Sequence, residues 1–228
     1  MRLQRPAQER KMSRINTVLF DFDGTLMNTN ELIIGSWQHT YETITGIPGN
    51  REEIISTFGE TLKVSMGKAF PDYPAHEAVE IYRSYQRGKF GDYISLFPGM
   101  LELLQELKNN AYRTAIVTSR LKPTTMEGLE KFELHQYLDT IVTMEDCTKH
   151  KPDPEPVLIA LEKLKAKPDE SIMLGDSMFD IKCAKAAGVK SVLVGWAMAV
   201  TEEDKCGPYA PDYIIETAEE LLDILNMR

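Results

Sequence analysis

Six short apolar runs without polar alternation set the tightest limit on what this chain can fold into. They occupy residues 17–20, 114–117, 140–142, 171–174, 191–194 and 213–215, and Val18-Leu19-Phe20 is representative. A strand with one wet face alternates apolar and polar residues, whereas one covered on both faces reads as a continuous apolar run. Helical periodicity separates the later runs. Met100, Leu101, Leu103, Leu104 and Leu107 form one stripe. Pro154 and Pro156 open a second, carried on by Leu158, Leu161 and Leu164, and Ile181, Ala184 and Ala187 form a third that Gly188 ends. Leu221, Leu222 and Leu225 mark the last. Strands alternating with helices predict an α/β fold, a doubly wound parallel sheet with right-handed crossovers.

One connection does not fit a simple crossover. Roughly ninety residues separate the first run from the second, where about a dozen suffice. Within this stretch Leu32, Ile33, Trp37, Tyr41 and Ile44 recur at helical spacing, as do Ala78, Ile81, Tyr82 and Tyr85. The pattern predicts an inserted all-helical cap domain over residues 29–95, with residues 15–28 and 96–228 forming the α/β core. Residues 1–14 read as a disordered extension. Their first eleven are polar and basic and lack the apolar stretch of a secretory signal.

A formal charge of −9 argues against general binding to nucleic acid or to anionic membrane. No run of about 18 apolar residues is present, so no membrane span is expected. The three cysteines, Cys147, Cys183 and Cys206, form no CxxC pair and fit a reducing cytoplasm. The four histidines are scattered without zinc-ligand spacing.

Four polar sets each follow a predicted strand: Asp21-Phe22-Asp23-Gly24-Thr25, then Thr118-Ser119-Arg120, then Lys151 before Pro152-Asp153-Pro154, then Gly175-Asp176-Ser177 with Asp180. Open parallel sheets bind ligands at the carboxyl ends of their strands. Asp21 and Asp23, two apart on an extended segment, point roughly the same way. Two such carboxylates repel unless a cation or proton intervenes. With Asp176 and Asp180 they make an oxygen-rich, histidine-free set that suits a hard cation such as Mg²⁺. Each residue alone has an ordinary reading as turn, cap or solvated side chain. Their joint occurrence in this order is what points to chemistry.

These four motifs together resemble the haloacid dehalogenase superfamily of phosphohydrolases, over about residues 15–225. The resemblance implies a doubly wound (Rossmann-like) core with a helical cap between the first two motifs, and Mg²⁺-dependent hydrolysis of a small phosphorylated substrate. Asp21 would be the nucleophile and Asp23 the general acid, then the general base. Mg²⁺ would be held by Asp21, Asp176 and the backbone carbonyl of Asp23. Thr118 would contact the phosphoryl group, with Gly24, Thr25 and Ser119 beside it. Lys151 would orient the nucleophile, with Asp180 and Ser177 supporting from behind. Dehalogenases of the superfamily lack the second aspartate, so Asp23 favours phosphoryl chemistry.

Residues 28–34 and 58–62 resemble the bacterial branch that holds inorganic pyrophosphatases and phosphoglycolate phosphatases. Glu60 and Arg120 read either as substrate neighbours or as a solvated acid and a surface arginine. A β-phosphoglucomutase-like mutase and a non-catalytic binding module that kept the fold are the alternative readings. A monomer or homodimer is expected.

Overall fold

The computed structural model describes residues 14–226. The extension expected at residues 1–14 therefore lies outside the described residues, apart from Arg14. In chain order, β1 (Thr17–Phe20) and β2 (Met27–Asn28) precede five helices: α1 (Asn30–Thr45), α2 (Arg51–Ile55), α3 (Leu62–Ala69), α4 (Ala75–Gln86) and α5 (Phe90–Tyr93). Next come β3 (Ser95–Leu96), α6 (Met100–Asn109), β4 (Arg113–Val117), α7 (Lys122–Lys131), β5 (Thr140–Val142) and α8 (Glu155–Leu164). The chain then runs through β6 (Ser171–Gly175), α9 (Met178–Ala186), β7 (Lys190–Val194), α10 (Glu202–Cys206), β8 (Tyr213–Ile215) and α11 (Glu220–Ile224).

All six apolar runs lie in one six-stranded sheet of order β5-β4-β1-β6-β7-β8. Each neighbouring pair is parallel, and Phe20 stands in register with Ile116 on one side and Leu174 on the other. Successive residues of β1 feed opposite faces. Val18 and Phe20 join a core with Leu103, Leu104 and Leu107 of α6, while Leu19 joins Val157 and Leu161 of α8 and Ala184 of α9. This double cover is why the strands read as continuous apolar runs.

From β1 the chain builds β4 and β5 to one side, then returns to build β6, β7 and β8 on the other. The sheet therefore reverses its winding at β1, and ligands of such sheets bind in the crevice where the winding reverses. Asp21, Thr118 and Asp176 immediately follow β1, β4 and β6 at that edge.

The long connection is helical, as its periodicity predicts. Ile34, Trp37, Ile54, Met66, Ala78, Val79 and Tyr82 form a separate apolar cluster. A small antiparallel ribbon pairs Met27 with Leu96 and Asn28 with Ser95, so both ends of the helical segment leave the core side by side. The segment touches the core elsewhere too. Met198 and Ala199, from the loop after β7, pack against its apolar cluster. At Gly59 (φ +86°) a Cβ would run into Ser177 and Phe179.

One helical stripe differs from the sequence reading. Leu158 is 46% exposed, and the buried face of α8 is Pro156, Val157, Ala160, Leu161 and Leu164. Positions 157, 160, 161 and 164 share a face at 3.6 residues per turn, whereas 158 is rotated off it. No described helix is long and apolar enough to cross a membrane.

The two leucine environments separate cleanly in a stability test. Leu104 is fully buried between sheet and α6. Leu104→Ala is expected to destabilise the protein by about 2–5 kcal/mol through lost burial and a residual cavity. Leu158→Ala should cost under about 0.5 kcal/mol. Urea midpoints measured at unchanged m report both, and equal losses would contradict this assignment of the core.

Candidate active site

Asp21 leaves β1 still hydrogen-bonded into the sheet, with its N–H donating to the Leu174 carbonyl. The chain then turns sharply. Gly24 N–H donates to the Met27 carbonyl and Met27 N–H to that of Phe22. Gly24 has φ +75°, and a Cβ there would run into the Asp176 carboxylate. Glycine is thus required twice over, by the backbone angle and by the close approach of the fourth motif to the first. Because its N–H is taken by Met27, Gly24 contributes shape to this turn.

Lys151 joins the separate motifs. Its side chain is 3% exposed, and Nζ donates to Asp21 Oδ1 at 2.7 Å and to Asp180 Oδ1 at 2.6 Å. The other oxygen of Asp180 accepts from the Ser177 hydroxyl and backbone N–H, in a capping box that starts α9. Asp180 therefore has both oxygens engaged, and it serves as the link between Lys151 and the helix start. Asp21 has Oδ2 left over from this pairing.

Asp23 has tethers of its own. Its Oδ1 accepts from Thr29 Oγ1 at 2.7 Å and from Arg120 Nη1 at 2.8 Å. The Thr118 hydroxyl is almost fully buried and accepts from Arg120 N–H, which leaves its own proton to give.

Asp21, Asp23, Thr118, Ser119, Arg120, Lys151, Asp176, Asp180 and Glu60 all line one cavity of about 530 Å³ between the sheet edge and the helical segment. Gly24, Thr25 and Ser177 stand behind its wall. Glu60 accepts from Ser65 Oγ at 2.7 Å and pairs with Lys68, so its carboxylate has partners within the segment itself. Burial would raise its pKa, but the hydrogen bonds from Lys68 and Ser65 win and hold it below the usual range.

Asp21, Asp176 and Asp180 bring carboxylate oxygens within 4.8 Å of one another, all in buried positions. Burial, followed by the charges of Asp180 and Asp23, drives the Asp21 carboxyl up to about 7 against the pull of Lys151. Burial likewise raises Asp176, with Asp180 and Asp21 adding to it. Burial works against the charge on Lys151, yet Asp180 and Asp21 outweigh it and keep the ammonium protonated. Fully ionised, the four carboxylates at this site would exceed the two cations, Lys151 and Arg120, by two negative charges, and the raised Asp21 and Asp176 reflect that excess. An all-oxygen donor set with that surplus fits a hard divalent cation. Asp21 and Asp176 have oxygens to offer it, and Asp180 is committed behind them.

A family model for haloacid dehalogenase-like hydrolases matches residues 18–194. The chain belongs to the haloacid dehalogenase-like hydrolases. Within this family, the pyrophosphatase PpaX of Halalkalibacterium halodurans is 39% identical over 214 residues, which span 94% of this chain and 98% of that protein. The pyrophosphatase PpaX of Bacillus mycoides is 37% identical, over 93% of this chain and 98% of the other. Among solved structures, a haloacid dehalogenase-like family hydrolase from Streptococcus pneumoniae superposes with a TM-score of 0.81 at 28% identity, covering 92% of this chain and 98% of that one. The helical segment of this hydrolase therefore has counterparts along the whole length of its relatives.

Sequence reasoning placed the four motifs at one edge and did not anticipate Thr29 or Gln86 near Asp23 and Arg120. Thr29 sits six residues beyond Asp23, inside the 28–34 stretch that was read as a likeness to one branch of the family and not as a tether for Asp23. Gln86 meets Arg120 only through the fold, at a separation of 34 residues.

A carboxyl whose pKa rises on folding favours the folded state most at low pH and gives that up as pH climbs through its folded value. With Asp21 raised from an ordinary 3.8 to about 7 and Asp176 raised as well, stability in chelator is expected to fall as pH climbs from about 4 through about 7. A hard divalent cation such as Mg²⁺ at a hundred times its dissociation constant should add about 2.7 kcal/mol, and at one fixed concentration the gain should be larger at the higher pH. Thermal midpoints with chelator and with Mg²⁺ check this; midpoints indifferent to the metal would contradict the fit.

Proposed function

We propose that this hydrolase is a Mg²⁺-dependent phosphatase that attacks phosphorus with Asp21 Oδ2 and passes through an aspartyl-phosphate. The observation that carries the reading is the buried Asp21–Lys151–Asp180 linkage, which aims a carboxylate at a cavity while Asp23 stands beside it on a separate tether. We take residues 29–95 as the cap and the remainder of 15–228 as the core.

The roles follow from what each group can do. Lys151 fixes Asp21 Oδ1, so Oδ2 is left to form the new P–O bond in line with the leaving group. Thr118 donates its hydroxyl proton to a phosphoryl oxygen, beside the backbone at Ser119. Asp23 has Oδ1 saturated by Thr29 and Arg120, so Oδ2 gives a proton to the departing oxygen. It then takes one from the water that cleaves the aspartyl-phosphate, releasing phosphate and restoring Asp21. Mg²⁺, held by Asp21, Asp176 and the Asp23 carbonyl, supplies charge neutralisation between carboxylate and phosphate. The helical cap covers the site and limits water.

The substrate is a small phosphate compound, with inorganic pyrophosphate first and 2-phosphoglycolate second. Support for that order comes from relatives named pyrophosphatase, aligned over nearly the full length of both chains.

Three measurements test this function. Asp21→Asn should abolish turnover with the fold intact, leaving at most a few per cent of the rate; more would end the nucleophile assignment. Asp23→Asn should slow esters with poor leaving groups by about 10²-fold or more and activated aryl phosphates far less, because the latter need little protonation. For the substrate, kcat/KM is compared across pyrophosphate, 2-phosphoglycolate, glucose 1-phosphate and a nucleotide at one Mg²⁺ concentration. A preference above about tenfold, or 1.4 kcal/mol, for either of the last two would displace pyrophosphate while leaving the phosphatase standing.

A further inference from the structure

Arg120 was read from the sequence either as a substrate neighbour or as a surface arginine. Its surroundings exclude a surface arginine and point to a third role beside that of substrate neighbour. The side chain is 8% exposed although it lines the cavity. Nη1 donates to Asp23 Oδ1 at 2.8 Å, and Nη2 reaches Gln86 Oε1 at 3.4 Å. The guanidinium carbon lies 4.3 Å from the centre of the Phe90 ring. Nε is buried and has no partner among the described residues. The backbone is fixed as well, with N–H on the Thr118 hydroxyl and the carbonyl accepting from Met144 N–H. Gln86 ends α4 and Phe90 begins α5, so both belong to the helical insertion, whereas Asp23 and Arg120 belong to the sheet edge.

We propose that Arg120 is a positioning residue that ties the orientation of the Asp23 carboxylate to the seating of the cap. This rests on the reading of Asp23 as acid and base. A guanidinium is a rigid planar fork, and it can hold a carboxylate with one N–H while a second N–H and its face engage other groups. Here one fork spans both sides of the cavity. Asp23 receives Thr29 and Arg120 on the same oxygen, so the carboxylate plane is set and Oδ2 is the oxygen turned to the proton. Gln86 and Phe90 hold the other side of the fork. The acid/base is thus fully aligned only when α4 and α5 sit where they do in this structure. The two guanidinium N–H groups that have partners go to Asp23 and to the cap.

The test is a double-mutant cycle on Arg120 and Asp23. Arg120→Ala is expected to lower kcat for pyrophosphate by about 10²-fold with KM changed by less than threefold, and to spare an activated aryl phosphate. In the Asp23→Asn background the same substitution should cost less than threefold, because a residue that acts only through Asp23 has nothing left to position. Guanidinium ion added to Arg120→Ala should restore part of the lost kcat, which also shows that the variant is folded. Gln86→Leu, which leaves Arg120 and Asp23 in place, should show a weaker loss with the same leaving-group dependence. Losses that multiply in the double variant, or a loss in KM alone, would make Arg120 a substrate ligand and overturn the proposal. Wild-type kinetics in Gln86→Leu would remove the link to the cap and overturn it equally. If Asp23→Asn itself shows no leaving-group dependence, the acid/base reading of Asp23 is what has failed; if that dependence is present and Arg120→Ala lacks it, the failure belongs to Arg120 alone.

Discussion

The site is organised around one buried ammonium. Lys151 reaches the end of β1 through Asp21 and the start of α9 through Asp180, and it comes from a loop that belongs to neither. A charge this deep is costly to remove from water, and an ion pair offsets the cost only when geometry and further hydrogen bonds are good. Both conditions hold here. The two contacts are 2.7 and 2.6 Å, and the far oxygen of Asp180 is satisfied by the Ser177 capping box. The hydrogen bonds that start α9 therefore also fix Lys151, and through it Asp21, the proposed nucleophile. Local helix capping and catalytic alignment depend on the same atoms.

The sheet was legible because its strands are covered twice. A run such as Val18-Leu19-Phe20 has no polar member to mark a wet face, and each of the six runs became a strand of the one sheet. The convergence of the motifs was legible for the same reason, since parallel strands bring their carboxyl ends to one edge. Elements that depend on little local signal were harder to read. The ribbon of Met27 and Asn28 with Ser95 and Leu96 has two residues a strand, too few for periodicity. The short helices α2 and α10 are set by side-chain caps at Asn50 and Thr201 rather than by apolar stripes. Leu158 was misread because a proline-led leucine series suggests a stripe, while the buried face follows Val157 and Ala160.

The polar tethers were the least legible part. Arg120 and Asp23 are 97 residues apart, and neither composition nor spacing joins them. Thr118, Ser119 and Arg120 are contiguous, yet Thr118 is buried at the strand end while Arg120 turns back across Phe22 and Phe90. The hydrogen bond from Arg120 N–H to the Thr118 hydroxyl makes that turn.

Core and cap divide the work by rigidity. The charged groups of the proposed site sit at strand ends and a helix start, where hydrogen bonds into the sheet leave them little freedom. The cap brings aromatic and aliphatic walls, including Trp37, Phe58, Leu62 and Phe90, with Glu60, Glu80, Arg83 and Arg87 among them. Glu80 lies within 4.0 Å of Arg83 and 3.1 Å of Arg87, so these charges largely answer one another. A cavity of about 530 Å³ also exceeds a pyrophosphate, for a water occupies only about 30 Å³ of liquid. Shape alone therefore discriminates weakly among small phosphates here. On the proposed mechanism, interactions that strengthen as the P–O bond breaks add to selectivity, and they include how well Asp23 is aimed. That places the decisive alignment where cap and core meet, on the carboxylate held by Thr29 and Arg120.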